Sequence, residues 1–311
     1  INGAEWICEY FDSCDICNGD NSTCPTVADT DGNIYPTIQI GEQNWMKENL
    51  KVTHYNDGSE ISTELSGGSS GEWYINDEGA YAIYEDNPQN AAIYGYLYNW
   101  YAATDSRGVC PEGWHVPSEI EFDELIEYLG GSDIAGGKLK ESGYDHWNYP
   151  NIGATNESGF SALPAGIRYG YADLYEHINL SAFFWSTDYH NTELEQSRYM
   201  RVNSDIMPNY ADGDDAIQDY DDMHRGFSIR CLEDIYDCAG IVNGTSELDD
   251  CGVCNGDSSS FEYFDITNIV ALVEHILEDT WDSEYLHCVD ISQDGFLDIV
   301  DIVMMIESIL E

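Results

Sequence analysis

The chain has 311 residues, with 60 acidic against 10 basic side chains and a formal net charge of −50. That charge excludes nucleic acid as a partner and disfavours anionic membrane surfaces, because like-charged surfaces repel. Its 42% hydrophobic and 13% aromatic content excludes a disordered polyelectrolyte, since it supplies ample apolar surface for a core.

Ten cysteines, most of them near the two ends, point to an oxidising compartment. The chain opens at Ile1 rather than methionine, no apolar stretch is long enough to span a bilayer and no signal peptide is evident. These features read as a processed or excised segment of an exported, extracellular or cell-surface protein. The first cluster, Cys14-Asp-Ile-Cys17-Asn-Gly-Asp followed by Cys24, is closely matched by Cys251-Gly-Val-Cys254-Asn-Gly-Asp near the other end. Zinc competes with disulfides for paired Cys-x-x-Cys units, but the acidic turn residues around these favour disulfides. Four cysteines allow three pairings, so the pairing inside each cluster stays open.

A segment from Asp29 to Leu50 follows, with an Asp31-Gly32 turn and an alternating Ile34, Thr37, Ile38, Ile40 pattern that predicts a hairpin. Asp29 and Asp31 flank that turn and read as turn-formers ahead of metal ligands. Ser118 with Glu121 three residues later forms a capping box, Leu125, Ile126 and Leu129 give a buried helical face, and Gly130 ends the helix. A second short helix is predicted at Ile134 to Lys140. Strands are predicted at Ser161 to Leu163, Phe183 to Thr187, Arg198 to Val202 and Gly226 to Cys231. Between the last two, the run from Asp212 to Asp222 concentrates six aspartates, and Asp212, Asp214 and Asp215 are candidate ligands for a loop calcium.

Residues 290–301 read Asp-Ile-Ser-Gln-Asp-Gly-Phe-Leu-Asp-Ile-Val-Asp, a calcium loop. Asp290, Ser292, Asp294, Asp298 and Asp301 supply side-chain oxygen at positions 1, 3, 5, 9 and 12, Phe296 supplies its carbonyl at position 7, and Gly295 permits the sharp turn. A worn copy lies 33 residues upstream, where Asp257, Ser259, Asp265 and Asn268 form a weaker candidate site without the glycine. The helices after the two loops carry matching apolar stripes, Ile266, Ile269, Val270, Val273 and Ile299, Ile302, Val303, Ile306. Neither short helix can bury its stripe alone, so the two are expected to pack together with Ca²⁺ fixing the second loop.

Three resemblances follow from these phrases. The Cys-x-x-Cys-x-Gly-Asp units look like the short disulfide-bonded connectors of many secreted proteins. Residues 257–311 resemble a dockerin module, although loop positions 10 and 11, often small and polar in that family, are Ile299 and Val300 here and Ile266 and Thr267 in the first copy. The central phrases Gly-x-Gln-x-Trp-Met-x-x-Asn-Leu, Tyr-Gly-x-Leu-Tyr-x-Trp, Cys-Pro-x-Gly-Trp-His-x-Pro-Ser-x-x-Glu-Phe, Gly-Phe-Ser-Ala-Leu-Pro-Ala-Gly, Phe-Trp-Ser-Thr and Gly-Phe-Ser-x-Arg-Cys are similar in order and spacing to the Fibrobacter succinogenes major paralogous domain. That resemblance implies a secreted bacterial module, a C-type-lectin-like fold shared with formylglycine-generating enzymes, and a disulfide between Cys110 and Cys231. The implied class is α+β. The implied organisation is a cysteine-rich connector at 1–28, the lectin-like domain at 29–234, a second connector at 235–256 and the dockerin-like helix pair at 257–311.

Catalytic chemistry is sparse. Cys110 and Cys231 read as a bridge rather than a reactive pair, and His115, before a Pro-Ser helix start, reads as a packed or capping residue. His146, His177, His190 and His224 are scattered through polar segments without a metal or nucleophile motif. Trp147, Tyr149, Tyr169, Tyr171 and Tyr175 are candidates for stacking on sugar faces. The expected function is therefore non-catalytic: a calcium-stabilised surface protein with a structural or adhesive role, assembling head to tail with itself as a fibre or docking on a surface scaffold. The alternative is a carbohydrate-binding module that recognises glycans.

Overall fold

The computed structural model describes residues 25–75, 77–191, 196–203, 216–236, 238–239, 246 and 299–310. It divides between Glu233 and Asp234 into two compact units. The first unit contains both helices and sheets and is mostly β, in keeping with an α+β class.

The unit opens with β1 (Thr26–Ala28), β2 (Ile34–Ile40) and β3 (Gln43–Met46), paired antiparallel in sequence. The Asp31-Gly32 turn joins β1 to β2, whereas β2 and β3 meet at a tight turn through Gly41, whose φ of +62° suits glycine. Asp29 holds the first turn by accepting N–H groups of Asp31 and Asn33 at 3.0 and 2.9 Å and the Tyr35 hydroxyl at 2.7 Å. Asp31 is engaged as well: its carboxylate accepts the Thr53 N–H at 2.6 Å and lies 2.6 Å from His54 Nδ1. Both aspartates are turn residues, as their positions beside Gly32 predicted.

The chain then forms α1 (Glu72–Ile75), β4 (Tyr81–Ala82), α2 (Pro88–Tyr94), β5 (Leu97–Tyr98), α3 (Trp100–Ala103) and β6 (Trp114–His115). Next come α4 (Glu119–Tyr128) and α5 (Ser132–Leu139). The capping box is complete in α4: Ser118 Oγ accepts the Glu121 N–H while Glu121 reaches back to the Ser118 N–H at 2.7 Å. Phe122, Leu125, Ile126 and Leu129 face inward, and Gly130 leaves the helix with φ +106°.

The remainder is β7 (Ala165–Tyr169), β8 (Leu174–Ile178), β9 (Ser181–Asn191), β10 (Gln196–Asn203), β11 (Ala216–Asp222) and β12 (Leu232–Glu233). One sheet has the order β1-β2-β3-β12-β6, so the last strand slots between two early ones, and a second has the order β11-β10-β9. The predicted strands at 183–187 and 198–202 lie inside β9 and β10. Two other strand predictions need correction. Only Ala162 of the 161–163 segment pairs, through a single parallel bridge to Lys140. Residues 226–231 are not a regular strand either, because each bonds a different neighbour: Gly226 pairs with Arg168, Phe227 with Tyr98 and Ser228 with Phe184, while the Ile229 and Cys231 carbonyls accept the N–H groups of Leu50 and Met46 at 2.9 and 3.1 Å. Gly226 is needed in this crowded thread, since a Cβ there would lie 2.9 Å from Arg168 Cβ.

Two large apolar clusters, with smaller ones beside them, lie within the unit. One gathers Tyr98, Trp185, Tyr199 and Phe227, with the Trp185 and Phe227 rings 4.3 Å apart. The other is built on Trp45, which stacks on Phe122 at 5.5 Å and meets Phe160 edge-on at 5.6 Å. Between strands and core lies Arg230, fully buried, donating to the Phe160 and Met46 carbonyls at 2.6 and 3.1 Å and to Asn49 Oδ1 at 2.6 Å. Burial opposes its charge and lowers its pKa, and this set of acceptors compensates.

In the second unit the described helix is α6 (Ile299–Leu310). Of its apolar stripe, Ile299, Val303 and Ile306 are exposed and Ile302 is half-buried, and the helix expected to pack on it, at 266–277, lies outside the described residues. No described helix is long and apolar enough to cross a membrane.

Candidate functional site

The disulfide implied by the family resemblance joins Cys110 to Cys231, with Cα atoms 5.9 Å apart and a sequence separation of 121. It ties the approach to α4 to the thread that leads into β12. The adjoining His115 and Glu121 would be the natural acid–base pair, with Nε2 and Oε1 2.9 Å apart, but the other Glu121 oxygen accepts the Ser118 N–H and hydroxyl at 2.7 and 2.8 Å. Burial pushes the Glu121 carboxyl up, and the bonds from His115 and Ser118 outweigh it, so the net shift is downward. Glu121 thus completes the capping box of α4 while holding His115.

A hollow of about 600 Å³ lies against α3. Trp100, Tyr101 and Tyr189 give it aromatic walls, and Asp77, Glu78, Asp105 and Arg107 supply polar groups. Trp100 is anchored by its indole N–H on the Ser186 carbonyl at 3.0 Å, and the 59% exposed Tyr189 ring lies 4.6 Å from it. Arg107 is clamped by Asp105 at 2.7 Å and lies over the Tyr55 ring at 3.8 Å, and its hydrogen bonds hold the Asp105 carboxyl below its usual value. Three carboxylates against one guanidinium make this hollow unsuited to anions. Aromatic faces beside hydrogen-bond acceptors suit a neutral polyol.

A second hollow of about 600 Å³ is lined by Trp73, Tyr81, Tyr175, Asp86, Asp173 and Arg168. Arg168 is 2% exposed, stacks 3.9 Å over Trp73, and reaches the Leu65 carbonyl at 2.9 Å and Asp173 at 3.3 Å. A third, smaller cavity of about 150 Å³ lies between the β7–β8 hairpin and β9–β10.

The aromatic residues singled out in the sequence are dispersed. Trp147 is corrected outright, being 1% exposed with its indole N–H on the Ala162 carbonyl at 3.0 Å, and so it has no face for a ligand. Tyr149 is 76% exposed beside Tyr144, Tyr169 and Tyr171 lie 5.7 Å apart, and Tyr175 lines the second hollow. His224 is corrected too: it is 2% exposed, 2.9 Å from Asp222 and packed between the Tyr74 and Tyr101 rings. Sequence reading missed Trp73, Trp100, Tyr101, Tyr189, Arg168, Arg201 and Arg225 as site-forming residues. The arginines carried a signal in their rarity, as members of a set of ten basic side chains.

The aspartate run is only partly a loop. Its second half is β11, where Asp221 pairs with Arg225 at 3.0 Å and Asp222 with His224. Asp212, Asp214 and Asp215 lie outside the described residues, as do Asp257, Ser259, Asp265, Asn268, Asp290, Ser292, Asp294, Phe296 and Asp298. Asp301 is described: α6 starts at the tenth position of the predicted calcium loop, and Asp301, at the twelfth, is fully buried near its N-terminus. Among the described residues no group of three or more His, Cys, Asp or Glu side chains is arranged to hold a metal.

These features define a β-rich mixed domain closed by a disulfide, with open aromatic hollows on its surface. Residues 38–233 match the family model of the Fibrobacter succinogenes major domain, and the chain belongs to that family. No curated protein and no solved structure matches it.

Proposed function

We propose that the chain is a non-catalytic, extracellular adhesive protein whose lectin-like domain holds a neutral saccharide unit in the hollow at Trp100, Tyr101 and Tyr189. The observation that carries this reading is the pairing of aromatic walls with carboxylate acceptors in an open hollow of about 600 Å³. The disulfide-tied frame beneath it supports a pre-formed site, and in the nearest acid–base pair, His115 and Glu121, the glutamate is committed to a helix cap. Calcium at Asp290, Ser292, Asp294, Phe296, Asp298 and Asp301 belongs to the same reading as a stabiliser of the C-terminal helix pair. A glycan array tests it. Binding to neutral glycans is expected, weakened at least tenfold in Tyr189→Ala, whereas a blank array, or equal binding by the variant, removes the site.

A second reading, assembly of copies into a fibre or onto a scaffold through the C-terminal module, is favoured by the exposed Ile299, Val303 and Ile306 of α6. Electron microscopy of native material with calcium and after chelation tests it: filaments that disperse on chelation are expected, and dispersed monomers in both conditions refute it.

A further inference from the structure

The cavity between the β7–β8 hairpin and β9–β10 differs in charge from the two larger hollows described above. Side chains of alternate strand residues point to one sheet face, so Ser181 and Phe183 of β9 and Tyr199, Arg201 and Asn203 of β10 share the face that meets β7–β8. Tyr169, His177 and Arg225 complete the opposite wall. Two of the chain's ten basic side chains therefore converge on about 150 Å³ in a molecule of net charge −50. Arg225 is positioned from two sides: its guanidinium lies 4.0 Å over the Tyr169 ring, and its Nε donates to Asp221 at 3.0 Å. Its Nη1 is buried and makes no hydrogen bond. A desolvated guanidinium N–H without an acceptor is unfavourable, and a ligand oxygen seated in the cavity would relieve it.

His177 adds a backbone signal, a left-handed φ of +66° on a residue other than glycine, the kind of strain that collects at ligand sites. Burial, together with the Arg201 and Arg225 cations, lowers its pKa against the opposing Glu176 carboxylate, so a neutral imidazole faces the cavity. Among the described residues, the acidic groups close by are Asp221, held by Arg225, and Glu176, 3.8 Å from His177, with Asp219 near Tyr199. The apolar wall is aromatic, from Tyr169, Phe183 and Tyr199.

We propose that this cavity binds a uronate, the carboxylate-bearing residue of an acidic polysaccharide, with the carboxylate at Arg201 and Arg225 and the sugar ring against the tyrosines. A planar carboxylate matches the guanidinium fork. The volume is about half that of the smallest pockets for drug-sized ligands, roughly 300 Å³, which limits the occupant to a single sugar residue. The site is separate from the hollow at Tyr189 and stands or falls independently of it.

Titration calorimetry and chemical-shift mapping with D-galacturonate and D-glucuronate, their methyl esters, D-galactose and inorganic phosphate test the assignment. A uronate should bind saturably with shifts at Tyr169, His177 and Arg201, at least tenfold tighter than its uncharged ester and than galactose. Arg201→Gln should weaken it at least tenfold, and Tyr189→Ala should leave it unchanged. Equal binding of galactose, equal binding of phosphate, or an unaltered affinity in Arg201→Gln would overturn the proposal. Should Arg201→Gln fail to fold by near-UV circular dichroism, the ester comparison on the wild-type protein decides alone.

Discussion

Arg230 shows how much one side chain organises here. It carries a positive charge to the centre of the first unit and binds two main-chain carbonyls and Asn49, so it is a cross-link among β3, the segment at Phe160 and the final thread. Arg230→Met keeps much of the volume but leaves those acceptors buried without donors, at roughly 1–3 kcal/mol for each unsatisfied group. A destabilisation of about 3–5 kcal/mol is expected in urea unfolding, and a loss below about 1 kcal/mol would show that water had taken over the bonds. Glu121 gives a pH-dependent counterpart. Its folded pKa lies below the ordinary value of 4.5, so its contribution is present above that value and lost as pH falls through the folded pKa. Glu121→Gln should therefore be less stable than wild type by about 1 kcal/mol at pH 6, and the gap should close progressively below pH 4.5; a gap independent of pH would remove the charge from the explanation.

At the level of elements, local chemistry decided what the sequence could reveal. α4 was legible because its capping box and its i, i+3, i+4 stripe lie within one dozen residues, and β9 and β10 because of the local runs Phe183-Phe184-Trp185 and Tyr199, Met200, Val202. The 226–231 thread was not legible, since its partners are β5, β7, β9, Leu50 and Met46, and no local pattern encodes a different partner for every residue. β11 was hidden for the opposite reason: a run of aspartates has poor strand propensity, yet pairing with β10 from Ala216 to Asp222 and bonds from Arg225 and His224 override it. The hollows combine residues as far apart as Asp77 and Met223, so their membership could not be read from spacing, and only the scarcity of arginine hinted at it. The thread's tether is Cys110–Cys231. Closing a loop of this length restricts the unfolded chain by about 4–5 kcal/mol, so Cys110→Ser with Cys231→Ser should lower unfolding stability by that order in urea. An unchanged midpoint would mean that the thread's hydrogen bonds alone hold β12 in place.

For the molecule as a whole, self-repulsion at net charge −50 governs the electrostatics. Monovalent salt screens that repulsion over about 8–10 Å near physiological strength without choosing a site, whereas the 290–301 sequence carries oxygen ligands at the spacing of a calcium loop. If Ca²⁺ occupies that loop, its effect should be confined to the second unit, because the first draws its stability from two aromatic cores, Arg230 and a disulfide. Asp301, the described member of that proposed ligand set, is buried at the start of α6, and a bound cation would add to the interactions that offset the cost of burying its charge. At a hundredfold excess over its dissociation constant, one bound ion stabilises by about 2.7 kcal/mol. Calorimetry should accordingly resolve two transitions, of which only the one accompanied by loss of helical circular dichroism moves down on chelation and returns with Ca²⁺ but not with an equal ionic strength of NaCl. Asp290→Ala should hold that transition at its chelated position in saturating Ca²⁺. A uniform shift of both transitions, reproduced by NaCl, would instead make the cation a general counterion to a polyanionic surface, and the 290–301 loop would lose its assigned role.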